Sequence, residues 1–278
     1  LKGRGEPIAY GGPCFNCELA VVDRANLLLA YGDGAYEDLA ALRDRGSPLT
    51  EDATPVAGEY SDDTANARAT LGGSPSPNSV LPGDIEGDKR GGTWRRTAPD
   101  ILREIAVTRR GIADPAGIDT AAFDALNLVA PGPVGLWVAD GRQVMTADVF
   151  DALVASFAGY WGQRRDNRLT IGRIGPPVGT PVARFGPTEI ISIRPLAAVL
   201  PLGRLVVGYR KNHRVMTDAD LAGITWDNGT RDGFKTDFLL TEAAVHAGAQ
   251  AKHPRARDER FDTLLVEQSD AEDLRDFI

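Results

Sequence analysis

Cys14-Phe15-Asn16-Cys17 is the spacing in this chain with the clearest chemical potential. A C-x-x-C works in redox chemistry when a helix N-terminus lowers its thiol pKa, and it binds zinc when two further ligands join it. Here the flanking residues are extended and turn-like, and these are the only two cysteines. A disulfide framework and a second C-x-x-C are therefore excluded, and the pair reads as incidental buried thiols. The histidines lie far along the chain, at His213, His246 and His253. The interval between His246 and His253 fits no common zinc spacing, so both read as surface residues. His213 stands among Arg210, Lys211 and Arg214, a cluster able to touch a phosphate, and reads as a solvated strand end.

The acids give no sharper signal. Asp218, Asp220, Asp227 and Asp232 alternate with Gly223, Gly229 and Gly233. A calcium loop needs regularly placed oxygens and a closing bidentate acid, so this stretch reads as a turn-rich loop. Asp62-Asp63 is a paired carboxylate, but glycoside chemistry requires a defined separation across a substrate. Gly72-Gly73-Ser74-Pro75-Ser76 misses the nucleophile elbow, because Ser76 stands where its last glycine belongs. Gly32-Asp33-Gly34 lacks the third glycine and the following helix of a dinucleotide fingerprint. Trp94, Tyr160, Trp161 and Trp226 are too scattered to form a stacking platform. No residue is assigned a catalytic, cofactor-binding or metal role, and no cofactor is expected.

The elements that would position these residues suggest an α+β chain. Its β-rich domains, barrel- or sandwich-like, surround a smaller α/β domain. Residues 1–96 read as a β-rich domain with long loops. Short extended pieces cover Pro7 to Tyr10, Leu19 to Val22 and Leu27 to Tyr31, while Ala35 to Leu42 suits a helix or a strand. Residues 51–99 read as long loops or a weakly packed β-arm, with Gly83 to Gly92 charged and glycine-rich. Residues 97–163 form the α/β domain. Thr97 caps a helix with Pro99 in its first turn. Asp119 caps a helix bearing Phe123 and Leu126, Val134 to Val138 is a strand, and Thr146 caps a helix with the stripe Val149, Phe150, Leu153, Val154 and Phe157. Residues 164–278 read as β-rich. A hairpin turns at Asp166-Asn167, and strands are expected at Glu189 to Ile193, Leu205 to Tyr209, Phe234 to Leu240 and Phe261 to Val266. A final helix is capped by Ser269.

Composition narrows the function classes. The 278 residues are 42% hydrophobic and 25% charged, an ordinary globular balance. The net charge of −8 argues against a general nucleic-acid coat or an anionic-membrane binder. No apolar run approaches the ~18 residues of a membrane span, and no signal peptide is visible. The charge is uneven: residues 1–99 hold 15 acids and 10 bases, residues 100–257 hold 16 and 19, and residues 258–278 hold 8 and 2. A mildly basic middle thus lies between acidic ends.

Four ordered segments resemble one family. The first runs from Glu6-Pro7-Ile8-Ala9-Tyr10-Gly11-Gly12 through Asn16 and Val21-Val22-Asp23. It continues to Leu29-Ala30-Tyr31-Gly32-Asp33-Gly34-Ala35 and Leu42-Arg43-Asp44-Arg45-Gly46. The second is Asp88-Lys89-Arg90-Gly91-Gly92 leading into Ala98-Pro99-Asp100-Ile101-Leu102. The third joins Phe123-Asp124-Ala125-Leu126, Val134-Gly135-Leu136-Trp137 and Asp148-Val149-Phe150-Asp151-Ala152-Leu153 to Gly159-Tyr160-Trp161 and Arg165-Asp166-Asn167-Arg168-Leu169. The fourth is Val206-Val207-Gly208-Tyr209-Arg210-Lys211-Asn212 with Asp220-Leu221-Ala222-Gly223. Together they resemble the tail-hub or tail-tip protein of long-tailed bacteriophages and related gene transfer agents.

That resemblance implies a structural virion protein, not an enzyme, assembled in the host cytoplasm. It implies a trimer that closes the distal end of the tail tube, beside tail-tube, distal-tail and fibre proteins, with DNA passing and not specifically bound. It also implies a further β-domain before Leu1, so the chain reads as a segment of a longer tail protein. Cys14 and Cys17 are not part of the pattern. The competing readings are a cell-wall hydrolase using the acids from Asp218 to Asp232, and a carbohydrate-binding adhesin of the tail tip.

Overall fold

The computed structural model describes residues 6–75, 79–139, 142–175, 185–186, 188–190, 192, 201–221 and 228–278. The chain is α+β and β-rich, with several sheets and no barrel among the described residues. Strands β1 (Ile8–Gly11), β2 (Cys14–Glu18), β3 (Ala20–Asp23), β4 (Leu28–Ala30) and β5 (Tyr36–Asp44) come first. The two-residue strands β6 (Ser47–Pro48) and β7 (Thr50–Glu51) follow, then β8 (Glu59–Asp63), β9 (Arg68–Leu71) and β10 (Pro82–Asp88). A four-stranded sheet in the order β2-β10-β5-β6 faces a five-stranded sheet in the order β3-β4-β9-β8-β7. Leu29, Tyr60 and Leu71 from one side meet Leu39, Leu42 and Ile85 from the other in one apolar core.

The ambiguous stretch from Ala35 to Leu42 is strand. Opposite it, Ile85 pairs with Leu39 while Asp84 pairs with Ala41, leaving Ala40 as an extra residue. Such a bulge resets the alternation, so Leu39 and Leu42 both turn inward at a spacing that imitates a helix. The expectation of a weakly packed 51–99 is corrected. Tyr60, Leu71 and Ile85 are buried, and β10 is hydrogen-bonded on both sides. Its glycines mark close approach: a Cβ on Gly87 would lie 2.6 Å from the carbonyl of Ala9 on β1.

Helix α1 (Ala98–Thr108) begins as the sequence dictates. The Thr97 hydroxyl accepts from the Asp100 amide at 3.3 Å, and Pro99 occupies the first turn. Its apolar face of Ile101, Leu102, Ile105 and Ala106 is buried. Helix α2 (Thr120–Val129) buries Phe123 and Leu126, but the Asp119 side chain does not cap it. That carboxylate instead takes Arg164 at 2.6 Å and Thr170 at 3.1 Å, a charged partner outcompeting helix amides. Strand β11 (Gly135–Val138) pairs antiparallel with β1. Helix α3 (Thr146–Ala155) starts one residue earlier than expected, so Thr146 is its first residue and Met145 sits at the cap. Strands β12 (Gly159–Gln163) and β13 (Leu169–Arg173) form the expected hairpin, with Asn167 at φ +67° in the turn.

Strand β14 (Leu202–Tyr209) organises the remainder. After it come α4 (Asn228–Lys235), β15 (Leu239–Leu240), β16 (Ala244–Val245), α5 (Ala247–Lys252), β17 (Arg257–Asp262) and α6 (Gln268–Phe277). β14 pairs antiparallel with β15 and β16 and parallel with β17. Three expectations are corrected here. Phe234 lies on α4, and only Leu239–Leu240 of the segment from Phe234 to Leu240 is strand. The last strand ends at Asp262, while Leu264, Leu265 and Val266 are buried beyond it. Leu265 forms an isolated antiparallel bridge to Val134, so the apolar run is buried and pairs with residues 133–135 without forming a strand. Ser269 is inside α6, whose cap is Glu267. The strand expected at Glu189 to Ile193 is also corrected: Glu189, Ile190 and Ser192 are not strand, and Ile191 and Ile193 lie outside the described residues. One core takes Ile101, Phe123, Leu153 and Phe157 together with Leu169, Val207, Leu265 and Leu274, on both sides of position 163.

Gly87→Ala is expected to cost at least about 1–3 kcal/mol in denaturant unfolding, because its methyl group meets backbone. Gly162→Ala, with open space at its Cβ position, should stay within about 0.5 kcal/mol.

Candidate functional site

Among the described residues, buried polar side chains gather at a joint between the N-terminal sheets and the segment after β14. Asp84 on β10 receives both arms of the Arg43 guanidinium from β5, at 2.8 and 2.5 Å. It also accepts from the Asn16 amide on β2 at 2.9 Å. Both charged side chains are nearly sealed from water, at 11% and 13% exposure. A charge in that position is tolerable only with full hydrogen bonding, which three donors supply. The guanidinium carbon of Arg43 lies 5.8 Å from the Phe15 ring centre and 5.1 Å from that of Phe234, while Arg210 lies 4.6 Å from Phe15. Arg43 meets these aromatic faces away from water, where the attraction is strongest, while Arg210 is exposed.

Asn16 makes the joint possible. Its φ of +57° is a left-handed conformation that asparagine tolerates better than bulkier residues. Its Nδ2 donates to Asn212 Oδ1 at 3.0 Å and to the Arg214 carbonyl. Asn212 in turn donates to the Phe234 carbonyl at 2.8 Å, and the His213 amide donates to the Phe15 carbonyl at 3.1 Å. Phe15, Met216, Leu221 and Phe234 close a small apolar core above it. Sequence reasoning missed this joint, since its partners are up to 198 positions apart. The one local signal was Arg43, a cation directly after the apolar run Leu39 to Leu42 of β5.

A second joint uses the Gly32-Asp33-Gly34 turn. Asp33 takes Arg90 at 3.2 Å and Arg109 at 2.7 Å. Arg90 also reaches buried Asp88 at 2.5 Å, and Arg109 Nε donates to the Tyr10 hydroxyl at 3.1 Å. The turn thereby ties β10 and the end of α1 to the N-terminal sheets.

The other candidates are placed as follows. Cys14 and Cys17 are both buried, and Cys17 Sγ donates to the Cys14 carbonyl. Burial pushes the Cys17 thiol up, reinforced by the neighbouring Cys14, which disfavours its thiolate. His213 is not a solvated strand end: its Nε2 is enclosed, and burial, with Lys211 nearby, lowers its pKa to about 3. His246 accepts from the Ala249 amide at 2.9 Å and caps α5, and His253 is exposed. Asp218 pairs with Arg231 and Lys235, Asp220 accepts from Thr217, and Asp227 lies outside the described residues. Asp232 is exposed on α4. Trp161 donates to Asp151 at 2.7 Å, and Trp94 stacks under Arg96 and donates to the Gly11 carbonyl. Ser76 and Trp226 lie outside the described residues. Among the described residues no three acids, cysteines or histidines converge as metal ligands. No family model and no curated protein matches this chain.

Asp62 stands apart from these joints. The fully buried Tyr31 donates to it at 2.5 Å, yet burial and the nearby Glu51 and Asp38 carboxylates raise its pKa to about 6. A carboxyl raised above its unfolded value of about 3.9 contributes stability that is full below that value and lost as pH rises through 6. The fold is therefore expected to resist denaturant better at pH 5 than at pH 7.5 through this group. Asp62→Asn should flatten that part of the profile.

Arg43→Met is expected to cost about 3–5 kcal/mol, because it leaves Asp84 charged and unpaired. Arg43→Met with Asp84→Leu should recover most of that loss in the same unfolding measurement. A single-variant loss below about 1 kcal/mol would show that the pair holds nothing together.

Proposed function

We propose that this chain is a structural subunit of a phage-type tail, the hub or tip that closes the distal end of the tail tube in phages and gene transfer agents. The observation that carries the reading is where the family-like segments meet. Asp33 of the first segment holds Arg90 of the second. Asn16 of the first holds Asn212 of the fourth. Asn167 of the third forms the hairpin turn, and Asp151 of the third holds Trp161 of the same segment. These residues are architectural, which supports a role in shape and assembly. The acids from Asp218 to Asp220 are engaged with Arg231, Lys235 and Thr217, which gives a wall-degrading reading no support.

In this reading three copies form a ring around the DNA path, beside tail-tube, distal-tail and fibre proteins in the virion. The acidic ends of the chain fit a channel wall that repels phosphate, so that DNA slides without sticking. No described helix is long and apolar enough to cross a membrane. Native mass spectrometry of the full-length protein, or of its complex with neighbouring tail proteins, should give a mass of three copies. A strictly monomeric species under both conditions rejects the ring.

A further inference from the structure

We propose that a cleft between the β1–β11 sheet, α1 and the start of α3 binds a small amphipathic carboxylate. Ile8 pairs across the sheet with Val138, and Tyr10 with Leu136. Residues two apart on a strand share a face, so these four side chains form one apolar floor. Ile105 of α1 and Val149 of α3 wall it, and the open cleft has a volume of about 460 Å³. That size falls within the ~300–1,000 Å³ of small-molecule sites, which combine apolar linings with a few placed polar groups.

The polar groups at this cleft are cationic or neutral. Arg109 and Arg142 line it, with Gln143 and Thr146 beside them. Arg109 is oriented by Tyr10 and Asp33, and Asp33 is shared with Arg90, so its negative charge is divided between two guanidinium groups. Arg142 is exposed and has no ion pair with a described residue. An apolar floor lined by an arginine that forms no ion pair with a described residue matches a ligand with an apolar body and a single anionic head. The planar fork of arginine suits a carboxylate in particular. This site is independent of the tail-hub reading.

The test uses octanoate and, as its cationic counterpart, octylamine, titrated into the full chain by calorimetry and methyl NMR. Octanoate should bind saturably with a Kd of about 1 mM or tighter, shifting the methyl signals of Ile8, Leu136, Val138 and Val149. Octylamine should bind at least about tenfold more weakly, and Arg142→Gln should weaken octanoate by about tenfold, the loss of one charge-assisted hydrogen bond. Val144→Trp, at the half-exposed edge of the cleft, should block binding with the fold unchanged by circular dichroism. The assignment is overturned by absent saturation below about 10 mM. It is equally overturned by equal affinity for octylamine, equal affinity of Arg142→Gln, or shifts confined to other surfaces.

Discussion

Asp84 is the residue around which the described structure is arranged. A carboxylate buried at the centre of a sheet is costly in isolation, and three strands must be in register to satisfy it. β5 brings Arg43, β2 brings the Asn16 amide, and β10 carries the acid. Asn16 can present that amide only by adopting a left-handed backbone, and the same twist directs its side chain toward Asn212. One charge requirement therefore links the sheet register, the register shift between β2 and β10 at Asn16, and the docking of the chain after β14. A buried ion pair of this kind adds little net stability over an apolar replacement, yet removing one partner is severe. Its value lies in specifying how the parts sit.

The sequence was legible where the physics is local. Thr97 with Pro99 announced α1, and Asp166-Asn167 announced the β12–β13 hairpin. The composition of β10 misled because its glycines serve close approach, Gly87 to Ala9 and Gly83 to Ala41, and not a turn. The bulge at Ala40 gave β5 a helix-like spacing that only its partner strand explains. Asp119 and Thr146 are good capping residues by type, but the first is claimed by Arg164 and the second lies inside its helix. The run at Leu264 to Val266 is apolar because it is buried, without being strand.

The joints were not legible, because their partners lie far apart. Asn16 and Asn212, or Asp33 and Arg109, are unremarkable singly and become meaningful only in contact. The residues that first suggested chemistry were mostly structural. Cys14 and Cys17 line the sandwich core, His246 caps a helix, and Asp218 neutralises two cations. These polar groups hold the protein's own layers in position, and this supports the proposal of an assembly subunit.

That account is tested most directly by imaging purified virions or gene-transfer particles encoded alongside this chain, by single-particle cryo-electron microscopy. It predicts density for the two facing sheets and the helices α1 to α3 in a ring at the distal end of the tail tube. Particles whose tail tip is complete and contains no density or peptide from this chain would contradict it.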